Sequence, residues 1–163
     1  MVLRIQLFLC LIFLFFTSSC QKKSEDCIYL VPKDFEGNIL IIFNQKDGMD
    51  ISYEDGKRVY KIDSTGVLKT QFVENYGVHQ NFFYEVEENN KRIPLRYVLP
   101  AHIENIPKSS AEIFIYNMET GKDYDEKVSK DRYIELFTVS TIKNLDSIGN
   151  LKSSFMWKQL NTP

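Results

Sequence analysis

Apolar and polar positions follow one another in short runs along this chain, and the runs predict strands for most of its length. Residues 27–31 (CIYLV) are apolar and stop at Pro32, and residues 33–37 read as a turn in which Gly37 supplies backbone freedom. Residues 38–43 (NILIIF) are almost continuously apolar, the pattern of a strand buried on both faces. Residues 44–48 are polar. Residues 50–53 and 58–62 then flank Glu54-Asp55-Gly56-Lys57, which predicts a hairpin. After a turn at Ser64-Thr65-Gly66, residues 67–73 predict the next strand. Residues 81–86 and 92–99 flank a polar 87–91 and predict a second hairpin. Its return limb contains Pro94 and so belongs at a sheet edge or a bulge.

The second half is less regular. Residues 100–110 read as a loop punctuated by Pro100 and Pro107. Residues 112–117 alternate and predict a strand that turns at Thr120-Gly121, and the charged stretch 122–130 is expected at the surface. Residues 132–139 (RYIELFTV) predict a further strand. From Ile142 on, the apolar positions Leu145, Ile148, Leu151, Phe155 and Met156 approach a helical period that Gly149 interrupts. A short C-terminal helix is therefore predicted over 151–160 behind an Asn150 cap. Short strands with frequent turns predict a mainly β domain over residues 27–163, a single β-sandwich or barrel. Nine Tyr and twelve Phe suit its pleated, half-buried surfaces.

The first nineteen residues follow a different pattern. Arg4 precedes an unbroken apolar run at 7–16, and Thr17-Ser18-Ser19 lead to Cys20. A charged start, an apolar stretch well short of the roughly 20 residues of a spanning helix, and small residues before a cut make a secretory signal peptide. With a cysteine directly behind the cut, the segment resembles the signal of bacterial lipoproteins, which are cleaved before that cysteine and acylated on its sulfur. The resemblance implies a mature chain that starts at Cys20 and carries diacylglycerol and palmitate-type chains there. It also implies a cell-envelope setting on a bacterial membrane, expected to be the outer membrane. Residues 20–26 are expected as a polar tether. Within them Ser24-Glu25-Asp26 resembles the acidic cluster that serves as a surface-export signal in some Gram-negative lipoproteins.

The chain has 20 basic and 22 acidic side chains and a formal charge of −2; loss of Arg4 with the signal leaves −3. Without a basic excess there is no nucleic-acid footprint. Of the three cysteines, Cys10 goes with the signal and Cys20 with the lipid. Cys27 is left without an intrachain partner and is expected as a small buried apolar residue.

Three stretches carry a resemblance: IYLVPKDFEGNILIIFNQKDG (28–48), YEDGKRVYKIDSTGVLKTQF (53–72) and FFYEVEENNKRIPL (82–95). Together they are similar to one bacterial domain family of unknown function whose members are small exported proteins and lipoproteins. The shared pattern is Tyr-Leu-x-Pro, a Gly before an apolar strand, Arg-x-Tyr and Gly-x-Leu-x-Thr, within residues 28–97. The resemblance implies a fold type and an envelope setting and no activity, and residues after about 100 lie outside it. The order of elements is also similar to transthyretin-like and Ig-like sandwiches, which implies architecture alone.

Chemistry is sparse. His79 and His102 are the only histidines and sit in separate loop regions, so no metal or cofactor is expected. Glu85, Glu87 and Glu88 could pair as carboxylates for glycoside chemistry, but exposed hairpin charges are the plainer reading. Asp123, Asp125 and Glu126 lack the spacing of a calcium loop. Arg58 and Tyr60 alternate onto one strand face and are expected to form a structural rung beside Tyr53. Trp157, Phe155 and Met156 are expected to dock the apolar side of the last element. The expectation is a monomeric, non-enzymatic binding module that meets the membrane through its lipid and an unknown protein or envelope polymer through its loops. An inhibitor or immunity-type lipoprotein using the charged loop 119–131 is the alternative, and an envelope hydrolase the third reading.

Overall fold

The computed structural model describes residues 24–125 and 130–161. The signal segment, Cys20 and Glu126 lie outside them. Ten strands make two five-stranded sheets. The first runs β3 (Tyr53–Glu54), β4 (Lys57–Lys61), β1 (Cys27–Pro32), β6 (Asn81–Val86) and β7 (Arg92–Pro94). The second runs β5 (Val67–Lys69), β2 (Gly37–Ile42), β10 (Lys130–Ser140), β9 (Phe114–Asp125) and β8 (Arg96–Val98).

Side-chain parity decides how the sheets pack. Cys27, Tyr29 and Val31 of β1 enter one cluster with Ile39, Ile41 and Phe137 of the facing sheet, while Ile28 and Leu30 point to the other side. This period of two is what a pleated strand imposes. The core is aromatic: the Tyr29 ring stacks on Phe83 at 4.7 Å, tilts against Tyr60 at 5.1 Å and meets Phe137 edge-on at 5.7 Å. Such pairs add about 0.5–1.5 kcal/mol beyond their area burial.

The NILIIF run is buried on both faces, as its pattern requires. Ile39 and Ile41 enter the central core, and Leu40 and Ile42 join Ile134, Leu136 and Leu160 on the outer side. That outer cover comes from the C-terminus, where α1 (Leu145–Asn150) and α2 (Lys152–Asn161) follow one another and bring Phe155 and Met156 onto the sheet. No helix among the described residues packs on the outer face of the first sheet. There Ile28, Leu30 and Val59 cluster with Phe82, Tyr84 and Val86, and the cations of Lys57 and Arg92 lie over the Phe82 and Tyr84 rings.

The two sheets form a sandwich whose pairings are mixed. Strand β1 runs parallel to both β4 and β6, β2 parallel to β5, and β8 parallel to β9. Immunoglobulin sandwiches use antiparallel sheets instead. The limb expected at 92–99 is two strands in different sheets: Pro94 sits on edge strand β7, as a residue without an N–H must, and the chain crosses at Leu95 to β8. The turn expected at Thr120-Gly121 does not form. Both residues continue β9 and pair with Glu135 and Ile134 of β10. The irregularity comes earlier, where the register slips opposite Phe137 and Asn117 adopts φ +50°. A real turn needs its glycine at Gly66, with φ +75° and an added Cβ only 2.5 Å from the Asn38 carbonyl oxygen.

Candidate functional site: a pocket between the sheets

A cavity of about 260 Å³ opens between the sheets at the end where β1 begins. The inner wall is Tyr29 of β1, Tyr60 of β4, Phe43 beyond β2 and Glu135 of β10. The mouth is formed by Glu74, Tyr76 and His79 from the segment before β6, and by Tyr133 of β10 with Thr120 and Gly121 of β9.

Glu135 of β10 is buried, at 5% exposure. The Tyr29 hydroxyl donates to its carboxylate, 3.0 and 3.1 Å from the two oxygens. Burial disfavours the charged form and pushes its pKa up to about 7, against the downward pull of the Tyr29 bond. Burial, and next to it the Glu135 charge, push the Tyr29 hydroxyl well above its ordinary value. The Tyr60 hydroxyl is the one buried side-chain polar atom among the described residues that has no hydrogen-bond partner, on a residue 1% exposed. Buried polar atoms are nearly always satisfied, so an orphan hydroxyl on a residue that lines a cavity marks a polar position against it; the Arg58 side chain also acts on that hydroxyl. Cys27 lies beside them, with Asn75 Nδ2 at 3.2 Å from its sulfur. Burial pushes its thiol pKa up, which keeps it a neutral packing group instead of a reactive thiolate.

The mouth is braced by the residues just before β1. Ser24 donates its N–H to the Val78 carbonyl at 3.1 Å and meets Asn75 through its side chain. Asn75 donates to the Glu25 carbonyl at 2.6 Å, and Asp26 accepts from the Gln80 N–H at 2.9 Å. Ser24, Glu25 and Asp26, expected within the polar tether, thus make hydrogen bonds to the segment before β6. Glu25 also pairs with Arg58 at 2.6 Å and accepts from the Tyr53 hydroxyl at 3.1 Å. The Arg58 bond, first among its causes, holds the Glu25 carboxyl below the usual range.

A family described as "Family of unknown function (DUF6843)" matches residues 23–144. The chain belongs to the DUF6843 family. The match extends beyond the region of residues 28–97 expected from the sequence, takes in all ten strands and the whole pocket lining, and stops directly before α1. No curated protein matches the chain. Among solved structures, a 2.75 Å crystal structure named "Putative Lipoprotein from Bacillus anthracis" is similar at 16% identity, covering 84% of this chain and 98% of that one with a TM-score of 0.52. At that identity the likeness concerns the fold.

In this DUF6843 domain the residues singled out in sequence fall at different places. His79 is at the pocket mouth with Nδ1 3.0 Å from the Gly77 carbonyl oxygen, whereas His102 is exposed in the 3-10 helix Pro100–Asn105. Glu85 accepts from the Asp34 N–H at 2.7 Å, Glu87 faces Lys91 at 4.0 Å, and Glu88 is exposed, so Glu85 and Glu87 engage different partners. Asp123 pairs with Arg132, and no cluster of metal-ligating side chains exists among the described residues. Arg58 and Tyr60 share the inner face, as expected. Arg58 lies 4.9 Å over the Phe72 ring and caps the core, while Tyr60 opens into the cavity. Phe155 and Met156 dock; Trp157 does not and is 68% exposed.

Glu135 is the residue that sequence reading passed over. It shares parity with Tyr133, Phe137 and Val139, so a carboxylate stands where the strand otherwise faces inward with apolar groups. That mismatch is a signal available in the sequence.

Proposed function

We propose that this protein is a lipid-anchored cell-envelope lipoprotein whose domain binds a small ligand in the inter-sheet pocket and carries out no catalysis. The observation that carries the binding reading is the orphan Tyr60 hydroxyl beside the buried Glu135 carboxyl: two polar groups held in a low-dielectric cavity with one protein donor between them. The cost of burying them is recovered only when a complementary group arrives. The anchor reading rests on the apolar run that ends at Ser18-Ser19-Cys20, and the name of the Bacillus anthracis structure agrees with it. No helix of the described residues is long and apolar enough to cross a membrane.

Two experiments test this. Cys20→Ala is expected to abolish lipid labelling and release the protein from membranes; continued membrane fractionation would sink the anchor. Native mass spectrometry of the full chain, extracted from the producing cell in mild detergent, is expected to show an added small mass that Tyr60→Phe weakens. A bare chain under all conditions would count against the pocket.

A second reading follows from one observation. A carboxyl poised near neutrality, in a cavity that also holds Glu74, has the proton affinity of a general acid. An envelope hydrolase would lose turnover in Glu135→Gln. The raised thiol of Cys27 and the position of His79 at the rim leave Glu135 without an activated nucleophile beside it, which favours binding.

A further inference from the structure

We infer that the pocket takes a small organic cation, an ammonium on a short apolar body, with its nitrogen between Glu135 and the Tyr60 hydroxyl. This rests on the binding reading above and names the ligand class.

The lining supports one sign of charge. Glu135 and Glu74 are its charged residues, and neither Lys nor Arg contributes to it. The two cations nearby are committed elsewhere. Arg58 is held by Glu25 and the Val73 carbonyl, and Lys122 by Asp131 at 2.7 Å while lying 4.9 Å over the Tyr133 ring. An anion entering the pocket would meet two carboxyl groups and no free positive group. A cation would meet a carboxylate with a single protein donor, an unpaired hydroxyl oxygen that can accept, and the rings of Tyr29, Phe43 and Tyr60. Aromatic faces attract cations most where water is excluded. Size limits the body: about 260 Å³ lies below the roughly 300–1,000 Å³ of sites for drug-sized ligands.

The titratable groups that line the pocket with Glu135 are Cys27 and Tyr29 from β1, Tyr60 from β4, Tyr133 from β10, and Glu74, Tyr76 and His79 at the mouth; Thr120 and Gly121 of β9 carry no charge. None is a fixed cation, and Arg58, which acts on the Tyr60 hydroxyl, is paired with Glu25, so the free carboxyl keeps its proton up to about pH 7. An arriving ammonium supplies the missing charge, and the carboxyl gives up its proton to solvent. Binding below pH 7 is therefore coupled to release of up to one proton.

The test is titration calorimetry of the full chain in non-ionic detergent with n-butylammonium chloride, 1-butanol and sodium butyrate, in buffers of differing ionisation enthalpy. Butylammonium is expected to bind most tightly. Its affinity should rise about tenfold per pH unit from pH 5 towards pH 7 and level off above it. Glu135→Gln should remove that slope and weaken binding more than tenfold. Tyr60→Phe, which keeps the ring and the fold, should weaken it about two- to tenfold. Tighter binding of butanol or butyrate that Tyr60→Phe weakens would overturn the ammonium assignment while leaving a binding pocket. Heat from butylammonium that is the same in wild type and both variants would overturn the assignment too. Silence from all three probes would also overturn it, and the copurified mass would then decide the pocket reading separately.

Discussion

Arg92 on edge strand β7 and Glu54 on the opposite edge strand β3 close a two-pronged ion pair, with bonds of 2.7 and 2.8 Å, across the outer face of their shared sheet. Three strands lie between them. The pair spans the apolar patch of Ile28, Leu30, Val59, Phe82 and Tyr84, and the Arg92 guanidinium lies over Tyr84 on the way. That face, which no helix of the described residues covers, is thereby partly shielded by long side chains whose stems are apolar.

Both partners are partly exposed, so their coupling is modest. A double-mutant cycle with Glu54→Ala and Arg92→Ala should give about 0.5–1 kcal/mol, shrinking in high salt. Arg92→Ala alone should cost more than Glu54→Ala, because it also uncovers Tyr84, and it should increase binding of a hydrophobic dye. Equal single costs would count against the cover.

Glu135 sets the pH response between about pH 5 and 8. Its folded pKa, about 7, is above the unfolded value near 4.5, so the folded state holds the extra proton in that window. Stability contributed by the protonated carboxyl is full below the unfolded value and is lost as pH rises through 7. Urea unfolding should show a decline on the order of 3 kcal/mol from pH 5 to pH 8. Glu135→Gln should flatten that decline and be the more stable protein at pH 8. A wild-type profile that rises over this range would refute the assignment.

Tyr60→Phe removes a hydroxyl that no protein group satisfies. Most buried truncations destabilise, but here the melting temperature should stay level or rise, by up to about 1 kcal/mol in stability. A clear loss would mean that the hydroxyl is already paired in the free protein.

Glu36 ties the turn before β2 to the end of β10. It accepts from the Thr141 N–H at 2.9 Å, the Thr141 hydroxyl at 3.1 Å and the Asn144 amide at 3.1 Å. Burial raises its pKa, and these donors together outweigh it and bring the carboxyl below its ordinary value. The stability it gives is present above the unfolded pKa and lost as pH falls through the folded one. Glu36→Ala should cost about 1 kcal/mol at pH 7 and much less at pH 3, read by chemical unfolding.

How far the sequence reaches is visible in particular elements. The apolar runs at 27–31 and 38–43 placed two strands, because an unbroken run is what a strand covered on both faces requires. The C-terminal helix was legible from its spacing, but Gly149 and Asn150, expected as break and cap, are helical within α1, and the interruption falls at Leu151. What failed was long-range. Thr120-Gly121 has turn composition, yet pairing with Glu135 and Ile134 keeps it in a strand. Nothing local says that Tyr29 meets a residue 106 positions away, or that Arg92 reaches Glu54 over three strands. The candidate site is made from such meetings, which is why scanning for local motifs left it unseen.

The docking of Ser24, Glu25 and Asp26 beside the pocket mouth has a consequence for how a ligand would arrive. If Cys20 carries the lipid, the leash from there to Ser24 is at most roughly 14 Å of extended chain. The domain could not swing freely; its pocket would be held at headgroup level, with the exposed Tyr76 and Val78 at the rim. A ligand would then be sampled from the thin layer next to the bilayer, whose composition differs from the bulk. Anionic headgroups enrich that layer in cations within about a Debye length, so a weak intrinsic affinity would serve where bulk concentrations would not.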